Sequence, residues 1–266
     1  MNASFSPSSS KLHASVDGPV ATLSVDNPAK HNALDLGMWQ ALPGLIADLE
    51  RDKRVRVIIL RGGGKGSFAS GADIAEFETV RADAEGGRRY EADNEAAFWA
   101  VAHCAKPVIA MIRRFCLGGG FGLALSCDLR IASENATFGV PAARLGIGYP
   151  PGAVKLVTAA VGAPAAKDLF YTARRIGAEE AQRLGIVQRI VPDGALEETA
   201  LALAHDIAAN APLTIRAAKA AIDAAVGLAH PDIDPAGLAD RCFDSADAVE
   251  GRKAFLEKRR PVFTGR

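Results

Sequence analysis

The sequence predicts an α/β fold followed by a helical C-terminal section. Continuous apolar runs such as VRVIILRG and PVIAMI are typical of strands that are buried on both faces of a parallel sheet. Segments with helical spacing alternate with these runs, which is the pattern of α/β proteins. After about residue 192 only helical patterns follow. We therefore expect a core over 11–192 and a helical section over 193–266, preceded by a serine-rich tail (1–10) that we expect to be disordered.

The core elements can be placed in order along the chain. KLHASVDGPVATLSVDNP predicts two strands around the turn Asp17-Gly18-Pro19. Asp35 opens a helix with apolar residues at three- and four-residue spacing, and Pro43 within it predicts a kink or a break. The strand VRVIILRG is followed by a helix over about Ala84–His103 and by the strand PVIAMI. Three consecutive glycines then open a helix that leads to the strand DLRIAS.

Composition excludes several classes of protein. The 266 residues include 31 basic and 31 acidic side chains, so there is no basic excess for binding nucleic acid. No run approaches the roughly 18 apolar residues of a membrane span, and the N-terminus lacks the apolar region of a signal peptide. We expect a soluble cytoplasmic protein with no nucleic-acid or membrane partner.

The four cysteines are expected to be reduced thiols. Cys104, Cys116, Cys127 and Cys242 form no C-x-x-C pair, and no histidine joins them at the spacing of zinc ligands. We therefore predict no metal site.

Two glycine-rich segments are candidates for contact with an anionic group. RGGGKGSFASGAD follows a strand, but Lys65 is followed by Gly66, which breaks the order of a phosphate-binding loop. LGGGFGLAL has its glycines where a loop becomes a helix, and free N–H groups at a helix start favour negative charge. Glycine also lets a substrate approach the backbone closely. Tight packing of the helix against the sheet is the alternative reason for these glycines.

Four segments in this order resemble the crotonase superfamily, which is the enoyl-CoA hydratase/isomerase family. They are NPAKHNAL, FASGADI, LGGGFGLALSCDLRIASENATFGVPAARLGI and AFLEKRRPVFTGR, and the resemblance covers nearly the whole chain. It implies a crotonase-like spiral of ββα units and an acyl-CoA substrate. It also implies no cofactor beyond the CoA of the substrate. The section 193–266 would then build a homotrimer or a dimer of trimers.

The resemblance also implies a set of site residues. Two backbone N–H groups polarise the thioester carbonyl in this family, and they fall on Ala72 and Gly119. Each such donor can contribute about 3–4 kcal/mol to catalysis. The other positions that the resemblance assigns to substrate or CoA binding are Lys30, Ser70, Ile74, Phe255 and Lys258. The last two lie in the tail, which in the family often reaches a neighbouring subunit.

The two glutamates that activate water in hydratases of this family are absent. Their positions fall on Gly122 and Ala142. General acid–base catalysis of this kind contributes about 10²–10⁴-fold for each group. The sequence therefore predicts slow hydration by the usual mechanism.

Tyr149 is a candidate catalytic residue just beyond the second vacant position. The arrangement Leu-Gly-x-x-Tyr is similar to the methylmalonyl-CoA decarboxylase branch, where a tyrosine sits beside the substrate carboxylate. That branch has a histidine in place of Ala72 and a glutamate in place of Gly122. A tyrosine before two prolines is more often a packed loop residue than a catalyst. Decarboxylation fits the residues at hand because it needs an oxyanion hole but no strong base.

These observations favour a lyase or isomerase that acts on a CoA thioester through its enolate. Decarboxylation of a malonyl-type thioester is the most specific form of this hypothesis. Two alternatives stay open from the residues: a conventional enoyl-CoA hydratase/isomerase and a non-catalytic acyl-CoA-binding subunit. The neutral charge and the broken loop motif argue against a nucleotide-binding module.

Overall fold

The computed structural model describes residues 3–5 and 11–266. In chain order the strands are β1 (Ala3–Phe5), β2 (Leu12–Asp17), β3 (Val20–Val25), β4 (Val57–Gly62), β5 (Val108–Ile112), β6 (Phe115–Leu117), β7 (Leu129–Ser133), β8 (Thr137–Gly139), β9 (Ile176–Gly177) and β10 (Arg189–Val191). The helices are α1 (Leu36–Arg51), α2 (Phe77–Val80), α3 (Ala84–Ala102), α4 (Gly119–Ser126), α5 (Ala142–Leu145), α6 (Pro151–Thr172), α7 (Ala178–Arg183), α8 (Leu196–Ala208), α9 (Pro212–Ala225), α10 (Pro235–Phe243) and α11 (Ala246–Leu256).

The larger sheet has seven strands in the order β1-β2-β3-β4-β5-β7-β10. β2 pairs antiparallel with both β1 and β3, and every pairing from β3 to β10 is parallel. A smaller sheet pairs β6 in parallel with β8, and β8 antiparallel with β9. The predicted α/β class is confirmed. Because parallel strands end at one edge, the loops after β4 and β5 come close together there.

A strand lies inside the segment for which the sequence predicts a disordered tail. β1 pairs antiparallel with β2, from Ala3 opposite Val16 to Phe5 opposite Ala14. It covers the edge that β2 would otherwise leave open. The rest of that predicted tail, residues 1–2 and 6–10, lies outside the described residues.

The first helix begins and continues as its side chains dictate. The Asp35 carboxylate accepts a hydrogen bond from the Met38 N–H at 2.9 Å, which caps α1. Pro43 does not break α1, which runs from Leu36 to Arg51. The predicted break is therefore wrong. Burial of Trp39 and its apolar neighbours against the sheet offsets the hydrogen bond that proline removes.

Helices cover both faces of the parallel part of the sheet. α1 and α3 pack on one face, where they share the main apolar core with β2 and β4. On the other face α8 buries a single stripe against β3, β4, β5 and β7, formed by Leu196, Ala200, Ala204 and Ala208. The chain after residue 192 thus begins with a helix that completes the core. This covering explains why the parallel strands are apolar throughout.

The last three helices leave large apolar side chains in contact with solvent. Phe243 is 76% exposed, Phe255 82% and Leu256 81%. One contact to the core is an ion pair between Lys219 of α9 and Asp128, at 2.9 Å. Within residues 3–5 and 11–266 no helix is long and apolar enough to cross a membrane.

The start of α4 gives a stability prediction. A Cβ on Gly120 would lie 2.5 Å from the Ala69 backbone oxygen, so Gly120→Ala should lower the free energy of unfolding by about 1–3 kcal/mol. Gly44 lies inside α1 with open space around it, so Gly44→Ala should raise the same quantity by about 0.5–1 kcal/mol. Urea unfolding at one fixed protein concentration measures both. Equal stability of the two variants would contradict this packing.

Candidate active site

The first loop of the site is held against the strand β6. The Ala69 N–H donates to the Phe115 oxygen and the Leu117 N–H donates to the Ala69 oxygen, both at 3.0 Å. These two bonds form an isolated parallel bridge between Ala69 and Cys116. The loop that follows β4 is thus tied to the segment that precedes α4.

The same loop is held on its other side by Leu34. The Leu34 N–H donates to the Gly71 oxygen and the Asp73 N–H donates to the Leu34 oxygen, both at 2.8 Å. In such a parallel bridge the N–H of the middle residue, Ala72, points away from the partner strand. Within the described chain the Ala72 N–H has no acceptor.

The second loop presents another free N–H group. Gly118 has φ +52°, a conformation that favours glycine, and its N–H donates to the Gly139 oxygen at 2.9 Å. Gly119 begins α4, so its N–H has no intrahelical acceptor. A Cβ on Gly119 would lie 3.7 Å from the Ala72 nitrogen. The two free N–H groups therefore border the same space.

That space is a cavity of about 80 Å³. Five of the predicted site residues line it, and these are Ser70, Ala72, Ile74, Gly119 and Tyr149. The structure thus brings together residues that lie up to 79 positions apart in the chain, from Ser70 to Tyr149.

Lys30 and the tail residues lie outside the cavity wall. Lys30 pairs with Asp73 at 2.5 Å, and the Ser70 hydroxyl donates to the Lys30 oxygen at 2.9 Å. Lys30 is thereby held beside the first loop of the site, with 48% of its side chain exposed. Phe255 and Lys258 lie at the end of α11, and neither belongs to the residues described as lining the cavity. Their role in CoA binding stays a prediction.

A side chain at position 122 would meet the ring of Phe98. A Cβ on Gly122 would lie 2.8 Å from Cζ of Phe98, which is buried and lines the cavity. The Phe98 ring packs edge-on against Trp39, with 5.5 Å between ring centroids. Ala142, the other position that lacks a glutamate, also lines the cavity and is buried. The Phe98 ring therefore lies against position 122, and a methyl group borders the cavity at position 142.

An ion pair that the sequence reasoning missed lies in the cavity wall. The Arg81 guanidinium is 2.5 Å from the Glu91 carboxylate, and both side chains are mostly buried. The guanidinium stacks over the rings of Phe77 and Tyr90, at 4.3 and 4.2 Å from their centroids. Burial raises the pKa of Glu91, and the nearby Arg81 opposes that rise.

A helical pattern could have revealed part of this wall. Glu91, Asn94 and Phe98 are spaced by three and four residues on α3, so they share one face of that helix. Asn94 is buried, and its side-chain oxygen has no partner within the described chain. A polar residue on a buried helical face is the signal, but the sequence does not say which loops it meets.

Tyr149 is both packed and placed at the cavity. Its ring lies edge-on to Phe170, with 5.2 Å between centroids. Burial raises the pKa of its hydroxyl, and the charge of Glu91 adds to that rise. The two readings of Tyr149 given above are therefore compatible.

Two free N–H groups and a buried charged pair on one cavity define a class of protein: an α/β protein with a pocket suited to an oxygen that becomes negative. The model of the family "Enoyl-CoA hydratase/isomerase" matches residues 16–266. The chain belongs to this family, and the predicted crotonase-superfamily membership is confirmed.

Individual relatives agree with this assignment over nearly full length. A short-chain-enoyl-CoA hydratase of Clostridium acetobutylicum is 36% identical over 92% of this chain and 94% of its own. A carnitinyl-CoA dehydratase of Salmonella typhi is 36% identical over 97% of this chain and 100% of its own. The crystal structure of an enoyl-CoA hydratase/carnithine racemase from Magnetospirillum magneticum superposes with a TM-score of 0.90. Its sequence is 35% identical, and the match covers 98% of this chain and 97% of that one.

The contact between Phe98 and Gly122 can be tested by a double-mutant cycle. Gly122→Ala should lower the free energy of unfolding by about 1–3 kcal/mol, because the added methyl meets the ring of Phe98. Combined with Phe98→Leu, the loss should be smaller than the sum of the single losses by at least about 0.5 kcal/mol. Urea unfolding of the four proteins measures this difference, and additive losses would contradict it.

Proposed function

We propose that this protein is an enzyme that binds an acyl-CoA and stabilises the enolate of its thioester. The carrying observation is that the free N–H groups of Ala72 and Gly119 border one space. Two such donors would bond the thioester oxygen as it gains negative charge. Neither N–H would first have to give up a bond to another acceptor in the protein. Lys30 and the backbone near Ser70 would contact the CoA portion. The enzyme would need no cofactor and would act in the cytoplasm.

The most specific form of this proposal is decarboxylation of a malonyl-type thioester. Loss of CO₂ leaves the electron pair that becomes the enolate, so no base is needed to start the reaction. The absence of a carboxylate at Gly122 and Ala142 supports it, because neither a methyl group nor the Phe98 ring beside Gly122 can activate water. Tyr149, at the same cavity, would contact the carboxylate that leaves.

Hydration or dehydration is the second candidate function. Two relatives carry the names hydratase and dehydratase, and the cavity does contain one carboxylate, that of Glu91. Water addition would then have to use a group on α3 in place of the two absent glutamates.

Turnover on matched substrates separates these candidates. We expect decarboxylation of methylmalonyl-CoA or malonyl-CoA, which is measured as release of CO₂. We expect the rate of crotonyl-CoA hydration to lie well below the usual enzyme range of about 10 per second. Loss of the enoyl absorbance measures this rate. Fast hydration without decarboxylation would favour the second candidate. Tight binding of acyl-CoA without any turnover would favour a non-catalytic acyl-CoA-binding subunit.

Two substitutions test the roles of the site residues in decarboxylation. Gly119→Pro removes one donor and should abolish turnover. Tyr149→Phe keeps the ring against Phe170 and should lower kcat at least tenfold, about 1.4 kcal/mol in the barrier, if the hydroxyl contacts the carboxylate. Unchanged turnover in Tyr149→Phe would show that this residue only packs.

We also propose that the protein is a homotrimer or a dimer of trimers whose tails complete neighbouring CoA sites. The exposure of Phe255 and Leu256 on α11 supports this. In analytical ultracentrifugation the wild type should sediment as one of these species, and Phe255→Ser with Leu256→Ser should weaken the assembly. Tyr171→Ser is the matched control, because Tyr171 is 75% exposed on α6, outside the C-terminal section. A monomeric wild type at micromolar concentration would contradict the proposal.

A further inference from the structure

Glu91 is the only carboxylate among the described residues that line the cavity. It lies on α3, on the helical face that also carries Asn94 and Phe98. The same cavity is bordered by Ala72 and Gly119. A carboxylate and the two free N–H groups therefore open onto one small volume.

The surroundings of Glu91 hold its carboxylate in place. Arg81 lies 2.5 Å from one oxygen, and the side-chain amide of Asn94, one turn along α3, favours the charged form of the same carboxylate. Solvent reaches 24% of the Glu91 side chain and 15% of that of Arg81. Burial raises the pKa of Glu91, with Arg81 and Asn94 opposing this and the charge of Glu95 adding to it. A carboxyl group with a raised pKa exchanges a proton more readily near neutral pH.

Two buried polar atoms beside Glu91 have no partner. Nε of Arg81 and the side-chain oxygen of Asn94 make no hydrogen bond within the described chain. An unpaired buried polar group costs about 1–3 kcal/mol. Arg81 and Asn94 both line the cavity, so the two unbonded atoms lie in its wall beside Glu91.

We propose that Glu91 carries the proton that moves on and off the α-carbon of the bound acyl group, in place of the absent glutamates at 122 and 142. Arg81 and Asn94 position its carboxylate. This inference rests on the proposed function, because it needs the thioester enolate.

Each proton movement can be written as a balanced step. When Glu91 acts as a base, the α C–H bond breaks, the proton bonds to the carboxylate, and the electron pair enters the enolate. The enolate oxygen is then held by the Ala72 and Gly119 N–H groups, and the reverse step returns the proton. After decarboxylation the C–C bond has supplied the electron pair. Protonated Glu91 then gives its proton to the α-carbon and regains one from water.

Exchange of the α-hydrogens of butyryl-CoA in heavy water tests this step directly. This saturated thioester can be neither hydrated nor decarboxylated, so only proton transfer is measured. Wild type should introduce deuterium at the α-carbon, and mass spectrometry measures the amount incorporated over time. Glu91→Gln should lower the exchange rate at saturating substrate at least about 100-fold. Its dissociation constant for butyryl-CoA, from calorimetry, should stay within about threefold of that of wild type.

Asp93→Asn is the matched control, since Asp93 lies on the same helix α3, accepts a hydrogen bond from the Gln40 side chain at 3.0 Å and does not line the cavity. It should keep exchange within about threefold. Glu91→Gln that binds butyryl-CoA and exchanges at the wild-type rate would overturn the role of Glu91. Loss of exchange in Tyr149→Phe, with exchange retained in Glu91→Gln, would also overturn the role of Glu91. A wild type that neither exchanges butyryl-CoA nor turns over malonyl-CoA or crotonyl-CoA would instead remove the proposed function itself.

Discussion

The site depends on two backbone N–H groups that the fold keeps free of acceptors. Burying a donor without a partner is unfavourable, so the residues around it must be held firmly. Leu34 bonds to both neighbours of Ala72, which turns the Ala72 N–H outward. The start of α4 leaves the Gly119 N–H free for a different reason, because a helix has no acceptor for its first donors. Two unrelated pieces of backbone geometry thus converge on one point.

The glycines of LGGGFG meet several packing requirements at once. A side chain on Gly119 would meet the Trp39 ring at 3.0 Å, and one on Gly120 would meet the backbone of Ala69. Gly122 faces Phe98 in the same way. Close approach of a ligand and tight packing are therefore not exclusive reasons for this sequence. The same packing sets the Phe98 ring against position 122, where hydratases of the family have a glutamate.

The sheet explains why the site lies where it does. α1 and α3 cover one face and α8 covers the other, so the described helices leave the carboxyl ends of β4 and β5 for the loops of the site. α3 has a second role there, because the face that carries Asn94 and Phe98 also places Glu91 in the cavity wall. One helix thus joins the packing of the core to the charge of the pocket.

The sequence by itself determined the elements whose signals are local. The apolar runs of β4 and β5, the Asp35 cap of α1 and the glycines before α4 all depend on residues near in the chain, and the structure contains each of them. The order of four motifs was also enough to identify the family, but it did not identify the reaction. Only the tertiary structure decided what stands opposite Gly122, and that the charged pair of Arg81 and Glu91 lies in the cavity. Those contacts join α3 to loops far away in the chain, and no periodicity within a helix records which distant surface its inner face will meet.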